Sequence, residues 1–153
     1  MKSSYYLRNN VALAIGVVNT LLRTGKTISM AELSLLLPFL FDEKIVNTLL
    51  DRHKYMTIGS LITMNKIALA NFNDRYLSLL PLVYQSLSMM LDVKAITITE
   101  GEIYARDLHP FDEMITESES HQLQTICDAS LRLFDMFEHV RLSDMYKTLK
   151  IEL

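Results

Sequence analysis

Cysteine and glycine are scarce in this sequence of 153 residues, and it has no excess of positive charge. The single cysteine, Cys127, excludes an internal disulfide and a thiolate metal cage, so we expect a reducing compartment, the cytoplasm. The four glycines are scattered and form no loop that could cradle a phosphate. No apolar run approaches about 18 residues, so no membrane span is expected. The opening MKSSYYLRNN also lacks the apolar core of a signal peptide.

Charge and hydropathy together indicate a protein that associates with others. The net charge of −3 at pH 7 disfavours an isolated nucleic-acid-binding protein, which needs clustered Lys and Arg against phosphates. Half of the residues are hydrophobic and the mean hydropathy is +0.17, which is high for one small domain. We therefore expect part of the apolar surface to lie on a face that a partner covers.

The first predicted helix runs from about Asn10 to Arg23. Its apolar residues recur at helical spacing, and Asn9 or Asn10 supplies an N-cap. Gly25 fits the C-terminal cap. Ala12 and Gly16 form a strip of small residues where another helix can approach closely.

A helix-turn-helix pattern follows. Ser29 and Glu32 form a capping box that opens the segment AELSLLLPFLF, which is apolar nearly all round and should be buried on every side. Pro38 should bend or end this helix, and the next helix should run from Asp42 to about Asp51. A further helical segment, 65–91, is expected in two pieces because Pro81 interrupts it.

Residues 95–105 change to a period of two, with Ile96 and Ile98 alternating with threonines and Glu100-Gly101 at the turn. This pattern predicts a β-hairpin, which directly after a helix is the arrangement of a winged-helix domain. The predicted fold class is therefore mainly α with a small hairpin: a winged-helix-like helix-turn-helix core plus a long C-terminal helix.

The predicted organisation is a core over 1–106, an acidic linker over 107–117, and a C-terminal helical segment over 118–153 that packs on the same single domain. The long helix of that segment should run from about Ser118 to Glu138, with a buried stripe, and a short helix should run from Ser143 to Leu149. The stripe comprises Leu123, Ile126, Cys127, Ser130, Leu133, Phe134 and Phe137.

Catalytic and metal sites find no support in the sequence, so we expect no catalytic residues, no metal and no cofactor. The histidines lack the spacing of a zinc site, and Cys127 falls on an apolar stripe where a thiol is inert. The cluster of carboxylates near residue 115 fits no calcium loop and is explained by a solvated linker. The residues considered are His53, His109, His121, His139, Asp112, Glu113, Glu117 and Glu119.

The helix-turn-helix pattern also raises the alternative of a winged-helix transcriptional regulator that binds DNA. The candidate recognition segment, Asp42 to Arg52, has little basic excess, which favours a helix-turn-helix used as a protein–protein scaffold. The basic candidates in this segment and directly after it are Lys44, Arg52, His53 and Lys54. The acidic residues of the segment are Asp42, Glu43 and Asp51.

Three segments together resemble the middle-component family of the three-component ABC-ATPase systems of bacterial defence, to which the small Lamassu subunit LmuC belongs. They are the opening NNVALA at 9–14, the buried run LLLPFL at 35–40, and RLFDMF at 132–137 followed by MYKTLKI at 145–151. Val11 stands where the family often has proline, and Ala14, Phe134 and Lys150 stand where it has glycine.

The resemblance implies a non-catalytic accessory subunit that docks on an SMC-like or Rad50-like ABC ATPase and helps to hold and regulate a nuclease-type effector. It implies that DNA is contacted mainly through the complex and that no membrane is involved. We expect the N-terminal segment to contribute to the interface, because tyrosine suits such surfaces. The candidate interface residues are Tyr5, Tyr6, Leu7, Asn9 and Asn10.

Overall fold

The computed structural model describes residues 2–51, 56–117 and 120–152, with side chains from residue 10 onward. These ranges are mainly helical, with one small antiparallel sheet, as predicted. The elements are α1 Lys2–Leu22, β1 Ile28–Ser29, α2 Met30–Leu40, α3 Glu43–Leu50, α4 Ile58–Met64, α5 Phe72–Asp92, β2 Ile96–Thr99, β3 Glu102–Ala105, α6 His109–Thr116, α7 His121–Phe137 and α8 Leu142–Thr148.

Helix α1 begins at Lys2, so the prediction of an N-cap at Asn9 or Asn10 is wrong. No proline or glycine lies between Lys2 and Asn10, and the helix extends through the two asparagines. The C-terminal prediction is confirmed. Gly25 has a φ of +85°, a left-handed conformation that suits glycine, and its N–H donates to the Leu22 carbonyl at 3.1 Å.

Helix α2 is buried on all sides, as its composition predicted. The capping box is present, with Glu32 N–H donating to Ser29 Oγ at 3.0 Å and Ser29 N–H donating to Glu32 Oε2 at 3.1 Å. Every residue from Leu33 to Leu40 is buried. Phe39 lies at the centre, its ring 4.9 Å from that of Phe72 in α5 and 6.1 Å from that of Phe137 in α7.

Helix α5 is continuous through Pro81, so the prediction of two pieces is wrong. Pro81 lies on the exposed side, where a carbonyl that loses its helical donor can bond to water. The opposite side of the helix packs against α1 and α2, which holds both halves in line. Helix α4, which the sequence did not indicate, opens with a capping box of Thr57 and Ser60.

The predicted hairpin is confirmed, with β2 and β3 antiparallel and Ile98 opposite Ile103. At its turn Glu100 has a φ of 53° and Gly101 a φ of 77°, the two positive values that a type I′ turn requires. A third strand, β1, pairs with β3 through Ile28, which gives the sheet order β1-β3-β2. Two residues are too few to show a strand period, so the sequence did not predict β1.

The C-terminal segment packs on the rest of the chain through α7, which contacts α1, α2 and α3. The stripe predicted on α7 is buried throughout. Ser120 caps this helix, and α8 begins at Leu142, one residue before the predicted start at Ser143. The expected linker contains α6, because Pro110 suits a first helical turn and Phe111 packs on the core.

Over the described ranges, no helix combines the length and the apolar character that crossing a bilayer requires.

Candidate interaction surface

The solvent side of α5 carries large apolar side chains at intervals of seven residues. Leu77 is 41% exposed, Tyr84 56% and Leu91 40%. Residues seven apart lie nearly above one another on a helix, so these three form one line, here named the α5 stripe. Pro81 and Ser88, also exposed, lie beside it at intervening positions. An apolar line of this kind on a small protein is typical of a surface that a partner covers.

The other exposed large apolar side chains do not form a line. They lie at the end of α4, at the turn before α5, near the end of α5, on β3 and on α7. Isolated residues of this kind are normal on protein surfaces. They are Met64, Ile67, Met89, Val93, Tyr104 and Leu131.

A groove of about 380 Å³ lies between α1, α2 and α5, and is here named the Arg75 groove. It begins beside the α5 stripe, since Pro81 lines it, and it extends to Asn10 of α1. Most of its walls are apolar, and Arg75 is the only charged residue among the described side chains that line it. The described lining residues are Asn10, Pro38, Phe41, Arg75, Ser78, Leu79, Pro81, Leu82 and Gln85.

Arg75 is held from one side only. Its Nη1 donates to Asp42 Oδ2 at 3.0 Å, and Asp42 also caps α3 by accepting from Ile45 N–H at 3.1 Å. The Arg75 side chain is 30% exposed as a whole, yet its Nε and Nη2 atoms are shielded from solvent and have no hydrogen-bond partner. The guanidinium therefore has two donors without an acceptor.

A second groove, of about 630 Å³, lies on the other side of Asn10, between α1, the α2–α3 junction and α7. His121 and Gln122 line it at the start of α7. Asn10 thus lines both grooves, and the N-terminal turns of α1 lie directly before it in the chain. Asn10 is half-buried. The side chains of the other predicted interface residues, Tyr5, Tyr6, Leu7 and Asn9, lie outside those described, so this interface stays a prediction.

The strip of small residues on α1 serves internal packing at Gly16. A methyl group placed on Gly16 would lie 2.6 Å from Leu123 Cδ1 and 3.3 Å from Cys127 Sγ, both in α7. The close approach that the sequence indicated is therefore made by a helix of the same chain. Gly16 does not contribute to an outer interface.

Cys127 and the histidines occupy different environments. Cys127 is buried, and burial is the main cause that raises the pKa of its thiol, opposed by a hydrogen bond with Thr20. A thiol of this kind is a poor nucleophile. His121 and His139 are exposed, His109 lies at the surface 3.6 Å from Glu113, and His53 lies outside the described residues. Among the described residues, no three His, Cys, Asp or Glu side chains come together as metal ligands would.

Asp112 is not part of a solvated linker, which corrects the interpretation of the acidic cluster. It accepts hydrogen bonds from Asn19 Nδ2 at 2.8 Å and from Arg23 Nε at 3.0 Å, and so ties α6 to α1. Glu113 and Glu117 are exposed, and Glu119 lies outside the described residues.

The surface over the predicted recognition helix is mainly acidic across the described residues, 42–51. The shallow surface over α3 is lined by Asp42, Glu43 and Asp51 against one basic residue, Lys44. The remaining basic candidates, at 52–54, lie outside the described residues. The described part of this surface is a poor match for phosphates.

The residues of the last resembling segment have structural roles. Arg132 Nη1 donates to the carbonyls of Leu49 at 2.5 Å and Asp51 at 2.7 Å, and so caps the end of α3 from α7. Lys150 has a φ of 55°, a conformation that glycine adopts without strain. Tyr146 lies edge-on to Tyr76 with ring centroids 6.2 Å apart, and burial raises the pKa of Tyr76.

A small helical protein with an apolar stripe on its surface fits the class of subunits that work within an assembly. The chain matches the family described as ABC-three component (ABC-3C) system Middle Component 3 over residues 16–153, and it belongs to this family. The match includes the second and third resembling segments, whereas the first, at 9–14, precedes it. No curated protein and no solved structure matches the chain.

Proposed function

We propose that this protein is a non-catalytic accessory subunit that bridges an SMC-like or Rad50-like ABC ATPase and a nuclease-type effector in a cytoplasmic, LmuC-like bacterial defence complex. Such a complex would act against phages and plasmids. Membership of the middle-component family supports a place in a multi-subunit system. The α5 stripe carries the proposal, because it is an apolar surface available to a partner.

The stripe suits a helical partner. Apolar residues seven apart form the seam of paired helices, and the smaller side chains of Pro81 and Ser88 leave room between Leu77, Tyr84 and Leu91 for an incoming side chain. The partner helix belongs, in this proposal, to the ATPase. The predicted N-terminal interface continues the same surface, since the Arg75 groove reaches from Pro81 to Asn10.

The core is, in the same proposal, winged-helix-like. Strand β1 between α1 and α2 pairs with the hairpin in the order β1-β3-β2, which supports this interpretation. The hairpin is then the wing, and the helix-turn-helix serves as a protein–protein scaffold. DNA is contacted mainly through the other subunits, which agrees with the acidic surface over α3.

Co-purification with the ATPase subunit encoded beside this protein tests the proposal. The parent should co-purify, and the triple variant Leu77→Ser, Tyr84→Ser, Leu91→Ser should keep its melting temperature but lose the ATPase. Ile67→Ser is the matched control, because Ile67 is 87% exposed but lies outside the stripe. The predicted N-terminal interface is tested by Tyr5→Ala, Tyr6→Ala, which should also fold and fail to co-purify.

Retention of the ATPase at the parental level by the triple variant would contradict the role of the stripe. Absence of the ATPase from the parent preparation would contradict the proposed function itself. The alternative, a DNA-binding regulator, predicts a gel shift on random-sequence DNA at low salt by the protein alone.

A further inference from the structure

We propose that β2, an outer strand of the sheet, pairs antiparallel with the same strand of a second copy of this chain. The sheet would then continue across the two copies in the order β1-β3-β2-β2-β3-β1. Two properties of β2 support a second copy as its partner: the register of its free main-chain groups and the charges at its two ends. The proposal concerns the isolated chain and does not rest on the contact of the α5 stripe with the ATPase.

One side of β2 faces β3, and the other side faces away from the sheet. Thr99 and Glu102 close a two-residue turn as a hydrogen-bonded pair, and along an antiparallel ladder such pairs alternate with non-bonded ones. The main-chain groups of Thr97 therefore point to β3, whereas those of Ile96 and Ile98 point outward. No hydrogen bond joins these outward groups to another of the described residues.

Nothing within β2 protects this edge against pairing. Edge strands of soluble proteins commonly carry a charged residue, a proline or a bulge that prevents a further strand from joining. The sequence of β2 is ITIT, and its pairing with β3 is regular over all 4 residues. Isoleucine and threonine both favour strands. Because Thr97 and Thr99 are also exposed, a further strand can approach.

An antiparallel copy centred on Thr97 matches the outward groups in both directions. Ile96 of one copy then lies opposite Ile98 of the other, and the two residues exchange both of their N–H···O bonds. The two-fold axis repeats the same bonds in the other half of the contact. Opposite residues of an antiparallel pair share a face, so isoleucine meets isoleucine on the inner face and Thr97 meets its own copy on the outer face.

The charges at the ends of β2 favour the same register. Lys94 precedes the strand, Glu100 follows it, and both side chains are exposed. They lie about 20 Å apart along an extended chain, so they do not pair within one copy. With Thr97 on the two-fold axis, Lys94 of each copy lies opposite Glu100 of the other. A parallel arrangement would instead bring like charges together at both ends.

Sedimentation velocity of the isolated chain over a concentration series tests the proposal. The parent should change from monomer to dimer as its concentration rises. We expect a Kd in the micromolar range or weaker, because one short strand buries little area. A parent that is still monomeric at about 1 mM would overturn the proposal, since contacts with a Kd tighter than this are populated there.

A charge exchange tests the register. Lys94→Glu and Glu100→Lys each place like charges at both ends of the contact, so each should raise the Kd of the dimer by about fivefold at low salt. The double variant Lys94→Glu, Glu100→Lys restores opposite charges and should return the Kd to within about twofold of the parent. A double variant that dimerises no better than the single variants would overturn the antiparallel register.

Amide hydrogen exchange identifies the edge directly. The N–H groups of Ile96 and Ile98 should exchange more slowly as the dimer forms, because each gains an acceptor. The N–H of Thr97 is the internal control, since it is bonded to β3 in monomer and dimer alike. A dimer that leaves the exchange of Ile96 and Ile98 unchanged would contradict pairing through β2.

The stripe variant separates this contact from the proposed function. Leu77→Ser, Tyr84→Ser, Leu91→Ser should dimerise with the parental Kd, because the α5 stripe takes no part in the strand pairing. Loss of the dimer in this variant would place the contact on α5 and overturn the proposal. Failure of the parent to co-purify with the ATPase would remove the proposed function alone, since the dimer is measured on the isolated chain.

Discussion

Helices α2 and α5 each contain a proline and are rich in apolar residues, yet their surroundings differ. Helix α2 is covered on every side, so that all eight residues from Leu33 to Leu40 are buried. Helix α5 buries one side against α1 and α2 and leaves the stripe of Leu77, Tyr84 and Leu91 exposed. Apolar composition alone therefore does not distinguish a core helix from a docking helix. The two kinds of helix are distinguished by the periodicity of their apolar positions and by how far other elements cover them.

The largest expected effect is at the centre of α2. Phe39→Ala should lower the free energy of unfolding by about 3–5 kcal/mol, because it removes a fully buried ring that contacts Phe72 and Phe137. This loss approaches the whole stability of many domains of this size. Denaturant unfolding of parent and variant measures it. A loss below about 1 kcal/mol would show that α2 is not the centre of the core.

The next effect is at the contact between α1 and α7. Gly16→Ala should destabilise, since the added methyl group would lie 2.6 Å from Leu123 Cδ1 and 3.3 Å from Cys127 Sγ. We expect an overpacking cost of about 1–3 kcal/mol, reduced by a gain of up to about 1 kcal/mol in helix propensity. Gly59→Ala is a matched control, because the nearest atom to its added methyl group is 3.8 Å away. Gly59→Ala should be neutral or slightly stabilising in the same thermal melts. Equal melting temperatures for the two variants would contradict the close packing of α1 on α7.

The smallest effect on stability is expected on the α5 stripe. Tyr84→Ser should change the free energy of unfolding by less than about 0.5 kcal/mol, because Tyr84 is 56% exposed and the two residues have similar helix propensity. Thermal melts of the isolated chain measure this value. A loss of several kcal/mol would place Tyr84 in the core and remove the contrast between α2 and α5.

Features that depend on neighbouring residues in sequence were predictable. The capping box at Ser29, the burial of α2 and the hairpin turn at Glu100-Gly101 each depend on a local signal, and each is confirmed. The resemblance at Lys150 is also informative, since this residue adopts the φ expected of the glycine that the family usually has there.

Features that depend on distant packing were not predictable. Strand β1 forms because β3 lies beside it, and α5 continues through Pro81 because its other side is held by α1 and α2. The ion pair of Arg75 with Asp42 likewise joins residues that are 33 positions apart in sequence. The α5 stripe had a sequence signal, the apolar residues at 77, 84 and 91, but the predicted break at Pro81 divided it.

Because α2 is buried by helices that follow it in sequence, its burial has a consequence for synthesis on the ribosome. Its chief neighbours, α5 and α7, end at Asp92 and Phe137, so they leave the ribosome well after α2 itself. During this interval the most apolar segment of the nascent chain has no native cover, and unprotected surface of this kind promotes aggregation. We therefore expect the nascent chain to be most prone to aggregation before α7 has been translated.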